Sequence, residues 1–222
     1  LNTKNVFTPN ITSNLIFKSV NKIIKKPKKI LELGCGNGVI GIGLFKKNLC
    51  KDFIYASDLS KEAIEVCNEN MKLNNVNAII KKGSLYDPWR GNKFDVIIND
   101  ISAISNKISI FSDWFNNVPC DSGFDGTKLT IEVLREANKY LYKKGKIFYP
   151  ILSLSDKEKI LNFSTKYFTS THKVMSIDWP LPKIFYKNKK LLQNLKEKKI
   201  IFYQEKFGIL IATTDVYVSN YG

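Results

Sequence analysis

The segment Ile30-Leu-Glu-Leu-Gly-Cys-Gly-Asn-Gly-Val-Ile-Gly41 constrains this chain more than any other. Lys29 to Leu33 reads as a short apolar strand, and Val39 to Phe45 as a helix. Between them stand Gly34, Gly36 and Gly38. Glycine lets the backbone turn sharply and approach a ligand with no Cβ in the way. The helix behind the turn offers free N–H groups. A strand, a glycine turn and a helix in this order open an α/β sheet whose ligand site lies at the carboxyl edge.

The remaining pattern repeats that alternation. Ile11 to Lys25 has helical spacing and ends at Pro27. Phe53 to Ala56, Ala78 to Ile80, Phe94 to Ile98 and Lys146 to Leu152 read as strands. Phe94 to Ile98 has the continuous apolar run of a strand covered on both faces. Helices are expected after Ser60, over Leu129 to Leu141 up to a break at Gly145, and from a Ser155 cap to about Tyr167. Thr171 to Ile177 and Ile200 to Val218 supply the last strands, the latter a hairpin turning near Lys206 to Gly208 and closing one edge of the sheet. The expectation is a doubly wound, mostly parallel α/β sheet with an antiparallel C-terminal pair. One domain is expected over 1–222, with an N-terminal helical segment over 1–28 and a lysine-rich insertion over 180–199 that holds one helix candidate. Insertions near a carboxyl edge often touch substrate.

Composition excludes several classes. No apolar stretch approaches the roughly 18 residues of a membrane span, and no signal peptide is expected at Leu1 to Phe7, although a start without Met points to trimming. Cys35, Cys50, Cys67 and Cys120 have no metal spacing and are expected to be reduced, in the cytoplasm. With His172 the single histidine, a His-based metal site or triad is not expected. The net charge of +15 suggests a polyanion. Yet only Arg90 and Arg135 are arginine, and the remaining basic residues, all lysine, accompany abundant Asn and Ile. That is also the signature of A/T-rich coding. Two lysine clusters, Lys18 to Lys29 and Lys183 to Lys199, read either as solvated faces or as a binding surface.

Two acids sharpen the glycine loop. Asp58 ends the second strand, where a carboxylate can accept both ribose hydroxyls of a nucleoside. Glu32 precedes the loop, where it repels a pyrophosphate and suits a cationic ligand. Val39 stands where a dinucleotide site wants a third glycine. S-adenosylmethionine, with a sulfonium, an ammonium and no phosphate, satisfies these conditions.

Glu32-Leu-Gly-Cys-Gly-Asn-Gly38 resembles the first motif of class I S-adenosylmethionine-dependent methyltransferases. Ser57-Asp58-Leu-Ser-Lys-Glu-Ala63 resembles their acidic loop, Lys82-Gly-Ser-Leu-Tyr-Asp87 the segment passing the adenine, and Lys93-Phe-Asp-Val-Ile-Ile-Asn-Asp100 the fourth-strand motif. The likeness covers about residues 6–152 and implies a seven-stranded Rossmann-like sheet and methyl transfer. Within the superfamily the chain is similar to the small-domain group, which includes release-factor glutamine and ribosomal methyltransferases. Val6-Phe-Thr-Pro9, Asn68-Glu-Asn70 and Cys120-Asp-Ser-Gly-Phe-Asp-Gly126 carry that likeness. Thr12 and Ser13 would then cover the cofactor. The resemblance implies cofactor contacts from Thr12, Glu32, Gly34, Cys35, Gly36, Asn37, Gly38, Asp58, Leu59, Ser84, Leu85 and Asn99.

One departure bears on the acceptor. That group carries Asn-Pro-Pro-Tyr after the fourth strand, and this chain has Asn99-Asp-Ile-Ser102. Asn99 and Asp100 are the candidate catalytic residues. Asp100 could orient an amine or serve as general base, or it or Ser102 could cap a following helix. Trp89 and Trp179 read as core or rim aromatics, while Trp114 with Phe115 is the candidate stacking platform. The expected activity is methyl transfer to a protein, with a translation component as the candidate acceptor and with no metal and no membrane. RNA or small-molecule methylation and non-catalytic S-adenosylmethionine binding are the alternatives.

Overall fold

The computed structural model describes residues 1, 5–112, 114 and 120–222. Its strands are β1 (Lys28–Leu33), β2 (Cys50–Asp58), β3 (Ala78–Lys82), β4 (Phe94–Asn99), β5 (Leu141–Leu152), β6 (Ser170–Pro180), β7 (Gln204–Lys206) and β8 (Ile209–Asn220). Its helices are α1 (Ile11–Ile23), α2 (Val39–Lys46), α3 (Lys61–Leu73), α4 (Asn106–Ser109), α5 (Lys128–Tyr140), α6 (Lys157–Tyr167), α7 (Lys183–Lys187) and α8 (Lys189–Glu197).

Seven strands form one sheet in the order β3-β2-β1-β4-β5-β8-β6. The first five are parallel, and β8 runs antiparallel to both β5 and β6. The short β7 is an eighth strand, and the expected hairpin joins it to β8. An antiparallel pair, β8 and β6, closes one edge of the sheet. Strand β8 inserts between β5 and β6 and leaves β6 outermost. Ile211 pairs with Pro180 on one flank and Gln204 on the other, so β7 occupies the flank that β5 covers further along β8.

Both sheet faces are covered, as the apolar parallel strands require. On one face α1, α2 and α3 pack through Ile16, Val20, Leu44 and Met71 against Ile30, Ile54 and Val96. On the other, α5 and α6 pack through Leu134, Ala137 and Ile160 against Leu31, Ile97 and Tyr149. Trp89 completes that face as a core residue, its indole donating to Ser57 Oγ at 3.0 Å. A third core joins Phe185, Leu192 and Leu195 of the insertion to Ile104, Leu154 and Leu210 at the carboxyl end.

Three local readings change. Helix α5 stops at Tyr140, before Gly145, because Leu141 is already extended and pairs with Phe94. Asp156, not Ser155, caps α6 by accepting from Lys159 N at 2.9 Å. The Ser155 hydroxyl instead donates to Leu152 O at 2.8 Å. The insertion holds two helices where one was expected.

Candidate active site

The carboxyl ends of β1, β2 and β4 open onto a cleft of about 520 Å³, within the size range of small-molecule sites. One half is built from the glycine loop. Gly34 and Cys35 donate backbone N–H groups to Ser57 O at 2.9 and 3.1 Å, which folds the loop back over β2. Gly34 has φ +76°, and a Cβ there would lie 2.9 Å from Asp100 O. Gly36 has φ +51° and faces open space, its nearest neighbour being Phe7 O at 3.9 Å. The Asp58 carboxylate joins loop to strand by accepting from Gly36 N at 3.0 Å and from Ser60 N at 2.9 Å. Ser60 in turn caps α3 by accepting from Ala63 N at 3.2 Å. Each Asp58 oxygen keeps a further lone pair for a ligand.

Glu32 lines the cleft floor yet is almost wholly buried. It accepts from Gly41 N at 3.0 Å, so it orients the first turn of α2 rather than the loop. Burial, then the nearby Cys67 and Asp100, push its carboxyl well above the usual range, and the Gly41 bond opposes them. A Cβ on Gly41 would lie 2.9 Å from Glu32 Oε2 and 3.0 Å from Ile54, so the close approach of helix to sheet falls here, not at position 39. Asn70 donates to Asn37 O at 2.9 Å, tying α3 to the loop.

Most of the expected cofactor residues line the cleft: Thr12, Glu32, Gly34, Cys35, Gly36, Asn37, Asp58, Leu59, Ser84 and Leu85. Two do not. Gly38 caps α2 with φ +82° and faces α3, where a Cβ would meet Cys67 Sγ at 2.8 Å. Asn99 is fully buried, its Oδ1 accepting from Ile101 N at 3.3 Å. Its Oδ1 thus shapes the turn after β4, while its Nδ2 is buried with no hydrogen-bond partner among the described residues.

Asp100 lines the cleft at the end of β4. Its Oδ2 accepts from Ser13 Oγ at 3.0 Å. Neither Asp100 nor Ser102 caps the next helix. Ser105 caps α4, its Oγ accepting from Lys107 N at 3.3 Å. Burial pushes the Asp100 carboxyl up to about 7, Ser13 pulls it down, and Asp58 adds to the rise. A carboxyl near 7 is poised to exchange a proton.

Past Asp100 the cleft becomes apolar and aromatic, lined by Ile101, Ile104, Leu152, Trp114, Trp179 and Pro182. The Trp114 and Trp179 rings lie 5.6 Å apart at 64°. The Trp179 indole donates to Thr214 Oγ1 at 2.9 Å. Trp179 thus belongs to the cleft, and the platform expected of Trp114 has Trp179 as its partner. Phe115 lies outside the described residues. Sequence reasoning missed Asn10, Trp179 and the Asp121–Lys128 pair at 2.5 Å, all lining residues. Asn10 had a signal, since it precedes α1 and caps it through Thr12 N at 2.8 Å. The other two reach the cleft only through tertiary folding.

The Asp125-Gly126 turn is structural. Gly126 has φ +74°, and a Cβ would lie 2.6 Å from Ser105 N and 2.7 Å from Ser155 Cβ. Asp125 accepts from Thr127 N at 3.1 Å and from Lys159 at 2.5 Å. His172 is exposed on the outermost strand and is not among the lining residues. All four cysteines are free thiols. Among the described residues no group of three or more His, Cys, Asp or Glu could hold a metal, and no helix is long and apolar enough to cross a membrane.

Comparisons with known proteins agree with this geometry. The family described as methyltransferase small domain matches residues 2–100. A Methanocaldococcus jannaschii protein named as a protein N5-glutamine methyltransferase is 32% identical over 157 residues, which cover 71% of this chain and 77% of that protein. A ribosomal protein L11 methyltransferase of Thermotoga neapolitana is 32% identical over 84 residues, 38% of this chain and 31% of that protein, so the match spans about a third of its length. The crystal structure of the ribosomal protein L11 methylase of Lactobacillus delbrueckii subsp. bulgaricus shares the fold, with TM-score 0.61, 17% identity and coverage of 98% of this chain and 82% of that one. The chain belongs to the class I methyltransferases of the small-domain group.

Proposed function

We propose that this enzyme transfers a methyl group from S-adenosylmethionine to a protein acceptor, a component of the translation apparatus. The observation that carries this reading is the charge of the cleft. Asp58 and Asp100 line it, the buried Glu32 beneath them is held in its uncharged form, and the cation Lys128 is paired with Asp121. Such a lining attracts a sulfonium and an ammonium and repels a phosphate backbone, whatever the charge outside. The two relatives compared above by sequence carry names of protein methyltransferases.

Bound S-adenosylmethionine supplies an electrophilic methyl carbon whose leaving group is a neutral thioether. The protein's task is then positioning and exclusion of water. Asp58 holds the ribose hydroxyls, while Gly34, Cys35, Gly36 and Asn37 flank the methionine portion. Ser84 and Leu85 border the adenine, and Thr12 covers the site from α1. Asp100 takes the proton that an amine must lose as it is methylated, with Ser13 fixing the carboxylate. Trp114 and Trp179 wall the path by which the acceptor side chain arrives.

The acceptor is an amine rather than a planar amide. No Pro-Pro-Tyr follows Asn99, so the usual stacking partner is absent from that turn, and a carboxylate stands there instead. The test is transfer of radiolabelled methyl into an extract from cells lacking this gene. Label removed by protease and kept after RNase is the expected result. Label removed by RNase overturns the protein reading in favour of RNA methylation.

A further inference from the structure

Helices α7 and α8 and the β7–β8 hairpin carry a surface that the cleft does not use. Between Lys183 and Lys206 stand eight lysines and two glutamates. Both glutamates are engaged, Glu205 by Lys189 at 2.8 Å and Glu197 by Gln193 at 3.2 Å. Lys187, Lys190, Lys198, Lys199 and Lys206 are exposed around them.

Aromatic rings stand among these lysines. Phe207 forms the hairpin tip at φ +52° and is wholly exposed, at 104% of its reference area. Phe202 is 52% exposed, with the Lys196 ammonium 5.3 Å from its ring centre. A bare phenylalanine at a turn tip gains nothing from the fold, whereas its ring faces are open to a partner. The other lysine cluster lacks this feature. Lys18, Lys22, Lys25 and Lys26 of α1 and its end have only the half-buried Phe17 among them.

The surface is firmly seated beside the cleft. Leu192 and Leu195 anchor α8 in the third core. The Tyr186 hydroxyl accepts from Leu210 N at 2.9 Å, and Leu181 N donates to Leu210 O at 2.8 Å. Pro180 and Pro182, which lead into α7, line the cleft. A polymer held here lies at the cleft's mouth.

We propose that this surface binds single-stranded RNA and holds it outside the cleft. Lysine ammonium groups neutralise phosphates without reading sequence. Open aromatic faces accept stacked bases of any identity. With no arginine between Lys183 and Lys206, bidentate base readout is not expected. The carboxylates of the cleft keep phosphates out, so the RNA is a docking partner and not the methyl acceptor.

The test is fluorescence anisotropy of the whole chain with a labelled, mixed-sequence single-stranded RNA of about 20 nucleotides, a length that exceeds typical site sizes. Roughly micromolar binding is expected, weakening with salt at about 0.7 log units per phosphate contacted. K198E/K199E is expected to weaken binding about tenfold or more and to flatten the salt slope. F207A is expected to weaken it about fivefold or more with the slope unchanged. K25E/K26E leaves binding as it was, and S-adenosylmethionine affinity in every variant reports an intact fold. No saturable binding overturns the proposal, as does loss with K25E/K26E but not with K198E/K199E. Tighter binding to phosphatidylserine vesicles than to RNA overturns it in favour of a lipid surface. Equal binding of polyglutamate reduces the surface to a general acidic-partner site and also overturns it.

Discussion

The Ser13 hydroxyl donates to the Asp100 carboxylate across 3.0 Å and joins the first turn of α1 to the end of β4. Both residues line the cleft. Ser13 therefore tunes the group assigned here as proton acceptor, and the consequence is a pH dependence. With Asp100 near 7, kcat/KM is expected to rise with pH through about 7 as the carboxylate forms. Ser13→Ala removes a bond that favours the ionised form, so the rising limb moves to higher pH. Asp100→Asn abolishes the limb and slows transfer while S-adenosylmethionine affinity changes little. A full pH–rate profile of the three proteins checks this, and an unaltered profile in Asp100→Asn removes Asp100 from the chemistry.

Asp58 is expected to dominate cofactor affinity. It holds Gly36 N and Ser60 N and keeps lone pairs for the ribose. Asp58→Ala should raise the Kd for S-adenosylmethionine about thirtyfold, on the order of 2 kcal/mol, with circular dichroism unchanged. Titration calorimetry reads both variant and parent. Equal affinities would show that the ribose is held elsewhere.

Trp179 is expected to act on the acceptor alone. Its ring faces Trp114 in the aromatic half of the cleft, away from the glycine loop. Trp179→Ala should raise KM for the acceptor about tenfold, some 1.4 kcal/mol, and leave the Kd for S-adenosylmethionine unchanged. A change in cofactor affinity without a change in acceptor KM contradicts the division of the cleft proposed above.

Glu32 makes stability depend on pH. Its folded-state carboxyl is raised well above the ordinary value of 4.5, so the folded protein binds more protons than the unfolded chain above that pH. Stability is then highest at or below the ordinary value and is lost as pH rises toward the folded-state value. Glu32→Gln removes this contribution while an amide oxygen can still accept from Gly41. Urea denaturation at acidic and neutral pH should show the parent losing stability across the interval more steeply than the variant. Parallel losses in the two proteins refute the assignment.

What the sequence determined by itself was local. The glycine turn, the Ser60 cap, the apolar run of β4 and the acid at Asp58 each depend on neighbours in the chain, through backbone freedom, capping and period. The same logic read Glu32 as an acid suited to a cation. It failed where a residue's surroundings come from afar. Gly38 was read as a ligand contact, and the packing of α3 turned it toward Cys67. Asn99 was read by its place in a motif, and the structure encloses its side chain beneath the turn after β4. Gly41 lies in the expected helix, and the close approach of Glu32 and Ile54 to it comes only from the packing.

Only the tertiary structure decided the aromatic half of the cleft. Trp114 follows β4 and Trp179 is the last residue but one of β6, and they meet because β8 inserts between β5 and β6 and the insertion packs on Leu210. Strand order is a long-range choice, made by burying apolar faces of distant segments, and no local pattern encodes it. The same choice sets a cleft of carboxylates inside a strongly basic protein, since net charge is a sum over the chain and a site's charge depends on which few side chains the fold brings together.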